Sequence, residues 1–238
     1  MYVLPPTFGA ATTRTSVNAF IDDIDAVIDA RFEEILDSES GRFYFSGETD
    51  TVRLDEARRA IYVQTMAFRR SFASAAQRLS NRLWLYSPKS GEALATYVRR
   101  EEAASAMAID DASDLGGTEG ETHEIVTASG KLLEELAAEA DPFGLLGAVY
   151  AFGTLRPRLA AVFLEAEGRR GRHRIGTRYA RALAETEIEQ TVQVGKILRL
   201  TLDENPGAEG PTRAGAERTL DVWPRPFLDY GRLAAARL

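Results

Sequence analysis

Residues 141–163, DPFGLLGAVYAFGTLRPRLAAVF, decide the fold because they combine helix-start residues with a long apolar run. Asp141 predicts an N-cap, and Pro142 suits the first helical position, where its missing N–H has no helical partner to lose. A helix this apolar is expected at the centre of a helical bundle. Within it, Pro157 and Gly153 predict a kinked, thinned turn, which either leaves room for a cavity or lets a neighbouring helix pack closely.

Amphipathic helical patterns lie on both sides of this central helix. Apolar residues recur in them at intervals of three and four, and no alternating run indicates a β-strand. The patterns cover residues 16–35, 52–85, 92–111, 122–136 and 179–200. The sequence therefore predicts an all-α bundle.

The chain is predicted to form a single domain with two appended segments. Its 238 residues are enough for one large hydrophobic core. Residues 1–15 contain prolines and a glycine without periodicity, so they are expected to form an extended N-terminal arm. The helical bundle is expected over residues 16–204, and residues 205–238 are expected to form a C-terminal strap packed on the bundle.

Charge and residue usage exclude several classes of function. The net charge of -7 would repel a phosphate backbone, so no nucleic-acid partner is expected. The chain contains no cysteine, which rules out disulfides and thiolate metal sites and suits a cytoplasmic location. No apolar run reaches the roughly 18 residues of a membrane span, so no membrane partner is expected either.

The last long helix carries two polar residues inside its apolar stripe. The spacing of Glu187 and Gln190 turns both side chains toward the core. A buried carboxylate is costly unless it is paired, hydrogen-bonded or bound to a metal. Glu187 is therefore either the partner of an arginine or a functional group, as a metal ligand or a general base. The whole stripe consists of Tyr179, Leu183, Glu187, Gln190, Val194 and Ile197.

The chain has two histidines, and they limit its metal chemistry. His123 stands at a predicted helix start, where it is either an inward-facing ligand or a capping residue. His173 lies in a basic turn and is expected to be solvated. Neither follows a glutamate by three residues, which excludes a di-iron bundle built on two Glu-x-x-His pairs.

Four segments of the chain stand in an order known from one superfamily. They are residues 62–70 (YVQTMAFRR), residues 113–117 (SDLGG) followed by His123, residues 145–152 (LLGAVYAF), and the last helix. Over residues 20–202 this order resembles the heme-oxygenase-like superfamily, which includes di-iron oxidases and oxygenases, thiaminase-II and pyrroloquinoline-quinone synthase. The resemblance implies a heme-oxygenase-like helical bundle of about seven helices around a cavity.

The resemblance also implies a set of site residues. Asp114 matches the first carboxylate ligand of the di-iron members, His123 matches the first histidine, and Glu187 matches the aspartate of the motif on the last helix. These three residues are the candidate catalytic groups. They are also the candidate ligands for a single divalent metal such as iron.

Three ligand positions depart from the di-iron pattern. Leu183 and Gln190 stand where the two histidines of the last motif would be, and Phe152 or Gly153 stands where a central glutamate would be. The resemblance therefore implies a degenerate site, with no cofactor or a single divalent metal in place of a complete di-iron centre. The cavity lining is expected to include Tyr150, Phe152, Gly153, Tyr179, Leu183 and Gln190.

The function that the resemblance implies is a small-molecule enzyme of specialised, natural-product metabolism. One alternative is a non-catalytic relative that binds a ligand or a partner after losing the di-iron site. A second alternative is a di-iron oxidase or oxygenase with substituted carboxylate ligands. The possible substitutes are Glu101, Glu102, Asp110, Asp111, Glu185 and Glu189. The resemblance allows a homodimer, whereas heme oxygenase activity itself is not expected because the first helix has no histidine.

Overall fold

The computed structural model describes residues 16–117, 123–171 and 176–236, without the side chains of residues 102–105 and 187. All regular structure within these ranges is helical. The predicted arm, residues 1–15, and His173 lie outside the described residues. The helices are α1 (Val17–Asp37), α2 (Glu39–Phe45), α3 (Thr51–Leu83), α4 (Pro88–Asp114), α5 (Glu124–Ala138), α6 (Phe143–Arg169), α7 (Arg178–Glu185), α8 (Glu187–Glu204), α9 (Glu209–Val222) and α10 (Arg225–Ala235), with a 3-10 turn at Pro206–Ala208.

Short polar residues start several of these helices. The Ser16 hydroxyl accepts a hydrogen bond from the backbone N–H of Ala19 at 3.2 Å, which caps α1 as the sequence predicts. Asp50 caps α3 in the same way. At the start of α6 the Asp141 carboxylate accepts from the N–H of Phe143 at 3.0 Å. These contacts satisfy N–H groups that have no partner within the helix.

Helix α6 lies at the centre of the bundle. Every residue from Phe143 to Pro157 is buried, including Arg156. Helices α1, α2, α3, α5, α7, α8 and α9 all pack against it. One continuous hydrophobic core joins side chains from α1 through α10, so the described residues form a single all-α domain.

Two segments differ from their predicted form. The expected last helix is divided at Thr186 into α7 and α8. The Thr186 hydroxyl donates to the backbone carbonyls of Ala182 and Leu183, a local bond that competes with continued helix. The expected strap over residues 205–238 contains two helices, α9 and α10, which pack mainly on α6 and α3. Their apolar faces, such as Leu220 and Phe227, are buried, and this burial stabilises two helices that the local sequence pattern did not predict.

Within the described ranges, no helix combines the length and the apolar character needed to cross a membrane.

Candidate functional site

A cavity of about 150 Å³ lies between α2, α3, α6, α7 and the C-terminal helix α10. Its walls are almost entirely apolar, and nearly half of the lining residues are aromatic. The aromatic members are Tyr44, Phe45, Tyr62, Phe68, Phe152, Phe163, Tyr179, Trp223 and Phe227.

Ring contacts join these walls into one layer. Phe152 stands at its centre, with its ring centroid 5.4 Å from that of Phe68 and 4.4 Å from that of Trp223. Phe68 in turn contacts Phe227 edge to face at 5.6 Å. Aromatic pairs at such distances stabilise the packing beyond the area that they bury. The ring layer therefore fixes α10 over α3 and α6 and closes one side of the cavity.

Two polar contacts position α7 beside the cavity. The buried Asp111 carboxylate of α4 accepts the backbone N–H groups of Arg178 at 3.1 Å and Tyr179 at 2.8 Å, and so it caps the first turn of α7. Burial raises the pKa of Asp111, although these two hydrogen bonds oppose the shift. Just before α7, the carbonyl of Gly176 accepts from the Tyr62 hydroxyl at 3.0 Å. Gly176 has a φ of +59°, which a side chain would disfavour.

At neutral pH the Tyr62 hydroxyl can donate a hydrogen bond but cannot act as a base. Burial raises the pKa of Tyr62 to about 12, and its hydroxyl proton is engaged with the Gly176 carbonyl. Its ring meets the ring of Tyr179 edge to face at 6.1 Å. Tyr62 therefore holds α7 against α3.

A buried ion cluster lies along one wall of the cavity and joins α3, α4 and α6. Nη2 of Arg156 lies 2.5 Å from both carboxylate oxygens of Glu101. Nη2 of Arg69 donates to the backbone carbonyl of Glu101 and lies 3.2 Å from its Oε2. Burial by itself lowers the pKa of Arg156, but neighbouring groups, with the charge of Glu101 first, raise it by more, so Arg156 stays charged.

A second buried cluster lies beside the same cavity. Nη1 of Arg58 donates to Asp55 and Glu167, each at 3.2 Å. Nη2 of Arg58 donates to the Gly176 carbonyl. Arg170 also pairs with Glu167, at 2.8 Å. These contacts hold α3 to α6 and to the residues that precede α7.

Three of the expected lining residues border this cavity. Phe152, Tyr179 and Leu183 are buried and line it. They come from α6 and α7, which the preceding contacts hold side by side.

The other three expected lining residues lie elsewhere. The Tyr150 hydroxyl donates to Asp25 of α1 at 2.6 Å. A Cβ at Gly153 would lie 2.9 Å from Cγ1 of Val194, so this glycine allows close packing of α8 and does not open the cavity. Gln190 is buried on α8, where its Nε2 donates to the Thr186 hydroxyl at 2.7 Å. These three residues contact other helices and are not among the residues that line this cavity.

The three candidate ligands are not members of the lining. Asp114 ends α4, is exposed, and pairs with Arg178 at 3.0 Å. His123 caps α5: its Nδ1 accepts from the N–H of Ile125 at 3.3 Å, and its ring lies 4.4 Å from that of Tyr230. Glu187 begins α8, and its side chain lies outside the described residues. The metal and catalytic roles of these three residues stay predictions.

The donor chemistry of the described lining does not fit an iron centre. Its residues are aromatic, aliphatic, hydroxyl-bearing or cationic, and they include neither a carboxylate nor an imidazole. Among the substitute ligands, Glu101 and Asp111 already bind guanidinium or backbone N–H groups. Glu189 pairs with Arg100 at 2.5 Å on the surface. No group of three or more metal-binding side chains is found within the described part of the chain.

Sequence reasoning missed the arginines of this site. Arg58 and Arg69 lie on the buried stripe of α3, at the spacing that also places Leu54, Tyr62 and Phe72 inward. Arg156 stands in an otherwise apolar stretch of α6. An arginine at a core position of a predicted helix is the signal that would have found each of them.

The chain is similar to several solved structures, and two of them show the extent of the likeness. One is a domain of unknown function with a heme oxygenase-like fold from Shewanella denitrificans OS217, with a TM-score of 0.73 and 14% identity over 88% of this chain and 90% of that one. The other is a TenA homolog from Pseudomonas syringae pv. tomato str. DC3000, with a TM-score of 0.68 and 10% identity. This match covers 98% of this chain and 100% of the homolog. No protein-family model and no curated protein matches the sequence. The predicted fold is confirmed: the chain has a heme oxygenase-like, TenA-like all-α fold.

Proposed function

We propose that the protein binds a small, largely apolar molecule in the aromatic cavity. The observation that supports this proposal is the cavity itself, of about 150 Å³, walled by aromatic rings from five helices. A dry cavity of about 150 Å³ is large enough for a benzene ring. The aromatic and aliphatic side chains of the walls contact the carbon skeleton of a ligand, and a small number of polar groups sets its orientation. The expected ligand is therefore a compound with one ring or a short chain.

Filling the cavity tests this proposal. Ala160 lines the cavity on α6, and its neighbour Ala161 does not. Ala160→Phe places a phenyl group in the binding space, and it should weaken binding of a one-ring probe such as benzamide at least about tenfold, because an overfilled site has no low-energy arrangement for a second ring. Ala161→Phe is the matched control and should change affinity little.

The measurement is the fluorescence of Trp223, which borders the cavity, in a Trp84→Phe background that removes the other tryptophan. Ligand-detected NMR gives an independent dissociation constant, and circular dichroism checks that each variant is folded. Equal affinity in the two alanine variants, or no binding of any one-ring probe to the parent protein, would contradict the proposal.

The second part of this proposal is that the protein is an enzyme of specialised metabolism that chemically converts the bound molecule. The resemblance to small-molecule enzymes supports it, and Asp114, His123 and Glu187 are the acid–base groups that it would use. Glu187→Gln should then abolish turnover and leave folding intact, as measured by product formation beside circular dichroism. A binding protein without catalysis would instead show a stable complex and an unchanged ligand.

A further inference from the structure

Arg156 has buried N–H donors that lack an acceptor among the described residues. Its side chain is 7% exposed and lines the cavity. Nη2 is engaged with Glu101, but Nε and Nη1 have no hydrogen-bond partner among the described residues. An unsatisfied N–H of a buried guanidinium carries a large desolvation penalty. These donors therefore indicate a ligand group that accepts hydrogen bonds.

The charges around Arg156 indicate that this group is an anion. Arg69 and Arg156 share the single carboxylate of Glu101, which leaves an excess of one positive charge among these three side chains. The described part of the neighbouring cluster contains two arginines and two carboxylates. Arg58 and Arg170 share two carboxylates, those of Asp55 and Glu167.

We propose that the cavity binds a small monocarboxylate, with its ring or short chain among the aromatic walls and its carboxylate accepting a hydrogen bond from the Nη1 N–H group of Arg156. This inference rests on the proposed function and adds the chemical class of the ligand. A charge-assisted hydrogen bond from a guanidinium N–H to a carboxylate is shorter and stronger than a hydrogen bond between neutral groups. The bound anion would bring the Arg69, Glu101 and Arg156 cluster to neutrality, which offsets the cost of burying its charge.

The size of the cavity limits the carbon skeleton. About 150 Å³ accepts one ring, and the Phe152 ring lies 4.7 Å from the guanidinium of Arg156. A ring packed beside Phe152 therefore places its substituent within reach of Arg156. Benzoate has this size and charge, and benzamide is its neutral counterpart of almost the same shape.

The first experiment compares these two probes on the parent protein, using Trp223 fluorescence in the Trp84→Phe background and ligand-detected NMR. A hydrogen bond to a charged group contributes about 1.5–3 kcal/mol, and each 1.4 kcal/mol is tenfold in affinity. Benzoate should therefore bind at least about tenfold more tightly than benzamide. Equal affinities would overturn the monocarboxylate assignment and leave the proposed function standing. Binding of neither probe would overturn both.

The second experiment identifies the anchor. Arg156→Met should remove the preference for benzoate and change benzamide affinity less than about twofold, while Arg69 and Glu101 remain a balanced pair. Arg158→Met is the matched control, since Arg158 on the same helix also pairs with one carboxylate, Asp29 at 2.6 Å, and also stacks on a phenylalanine, but it does not line the cavity. Arg158→Met should keep the full preference for benzoate over benzamide.

A second variant covers the case in which Arg156→Met does not fold. Arg156→Lys keeps the buried positive charge beside Glu101, but its single ammonium nitrogen cannot donate to Glu101 and to the ligand with the spacing of the two Nη groups. It should reduce the preference for benzoate by several fold. An unchanged preference in Arg156→Met or in Arg156→Lys, with circular dichroism showing a folded protein, would overturn the assignment to Arg156.

Discussion

Glu101 holds together one of the two buried charged clusters beside the cavity. Its side chain is 3% exposed and lies between the guanidinium groups of Arg69 and Arg156, which belong to different helices. A buried ion cluster adds little stability compared with an apolar core, but the loss of one member is costly because the remaining charges stay buried without a counter-ion. At the scale of the residue, the structure of the site therefore depends on Glu101 more than on any surface ion pair.

Glu101→Gln should lower the free energy of unfolding by about 3–5 kcal/mol, because two buried arginines lose their only carboxylate in the described cluster. Glu189→Gln is the matched control. Glu189 pairs with Arg100 at the surface, so its loss should cost about 0–1 kcal/mol. Urea unfolding followed by circular dichroism measures both values, and a similar small cost for the two variants would contradict the structural role assigned to Glu101.

Close helix packing at glycines sets the position of the C-terminal helices. A Cβ at Gly147 of α6 would lie 1.8 Å from the carbonyl oxygen of Thr212 in α9. A Cβ at Gly215 of α9 would lie 1.8 Å from the carbonyl oxygen of Gly144 in α6. The two helices therefore touch backbone to backbone, which only glycine allows. At the scale of the element, this contact brings the chain that follows α9 back to the cavity.

Gly215→Ala should destabilise the protein by about 3 kcal/mol, because the added methyl group collides with backbone atoms that cannot move aside. Gly195→Ala is the comparison, since Gly195 lies inside α8 and a Cβ there meets no atom within 4 Å. Alanine favours helix over glycine by about 1 kcal/mol, so this variant should be more stable than the parent. Thermal and urea unfolding of both variants give the sign and the size of each effect, and a neutral Gly215→Ala would show that α9 can move away from α6.

At the scale of the whole molecule, the cavity is made by helices that are far apart in the sequence. Tyr44 of α2 and Phe227 of α10 line the same space as Phe152 of the central helix. The described lining combines aromatic walls with arginines and lacks carboxylates and imidazoles. This composition suits an organic anion better than an iron centre.

Because the described lining lacks carboxylates and imidazoles, we expect the purified protein to contain little iron. Protein expressed with added ferrous iron should contain well under two irons per chain, in contrast with the two of a complete di-iron carboxylate bundle. Treatment with a chelator should leave both the unfolding midpoint and benzoate binding unchanged. Metal analysis by mass spectrometry measures the content. A stoichiometry near two, or a chelator-sensitive midpoint, would contradict this expectation and support the reading with substituted carboxylate ligands.

Much of the fold follows from local pattern. The spacing of apolar residues placed α1, α3, α4, α5 and α6, and Ser16 caps α1 where its residue type indicated. Helix α6 begins one residue later than predicted: Pro142 is its N-cap, and the Asp141 carboxylate accepts the N–H of Phe143. The division at Thr186 was missed because the apolar stripe continues across it, and Val194 and Ile197 remain buried after the break. The helices of residues 209–235 were missed because proline and glycine reduce the local signal, while burial against α6 and α3 supplies the stabilisation.

The sequence by itself determined that this protein is an all-α bundle with a central apolar helix and no cysteine chemistry, because helix periodicity and composition are local properties that the chain carries before it folds. Only the tertiary structure decided which residues share the cavity. Arg156 and Glu101 are separated by 55 residues and Arg69 and Glu101 by 32, yet they meet because α3, α4 and α6 pack together. Periodicity states which face of a helix is buried but not which helix covers it. Leu183, singled out as a lost histidine position, therefore proved to border an aromatic cavity whose charged wall lies on other helices.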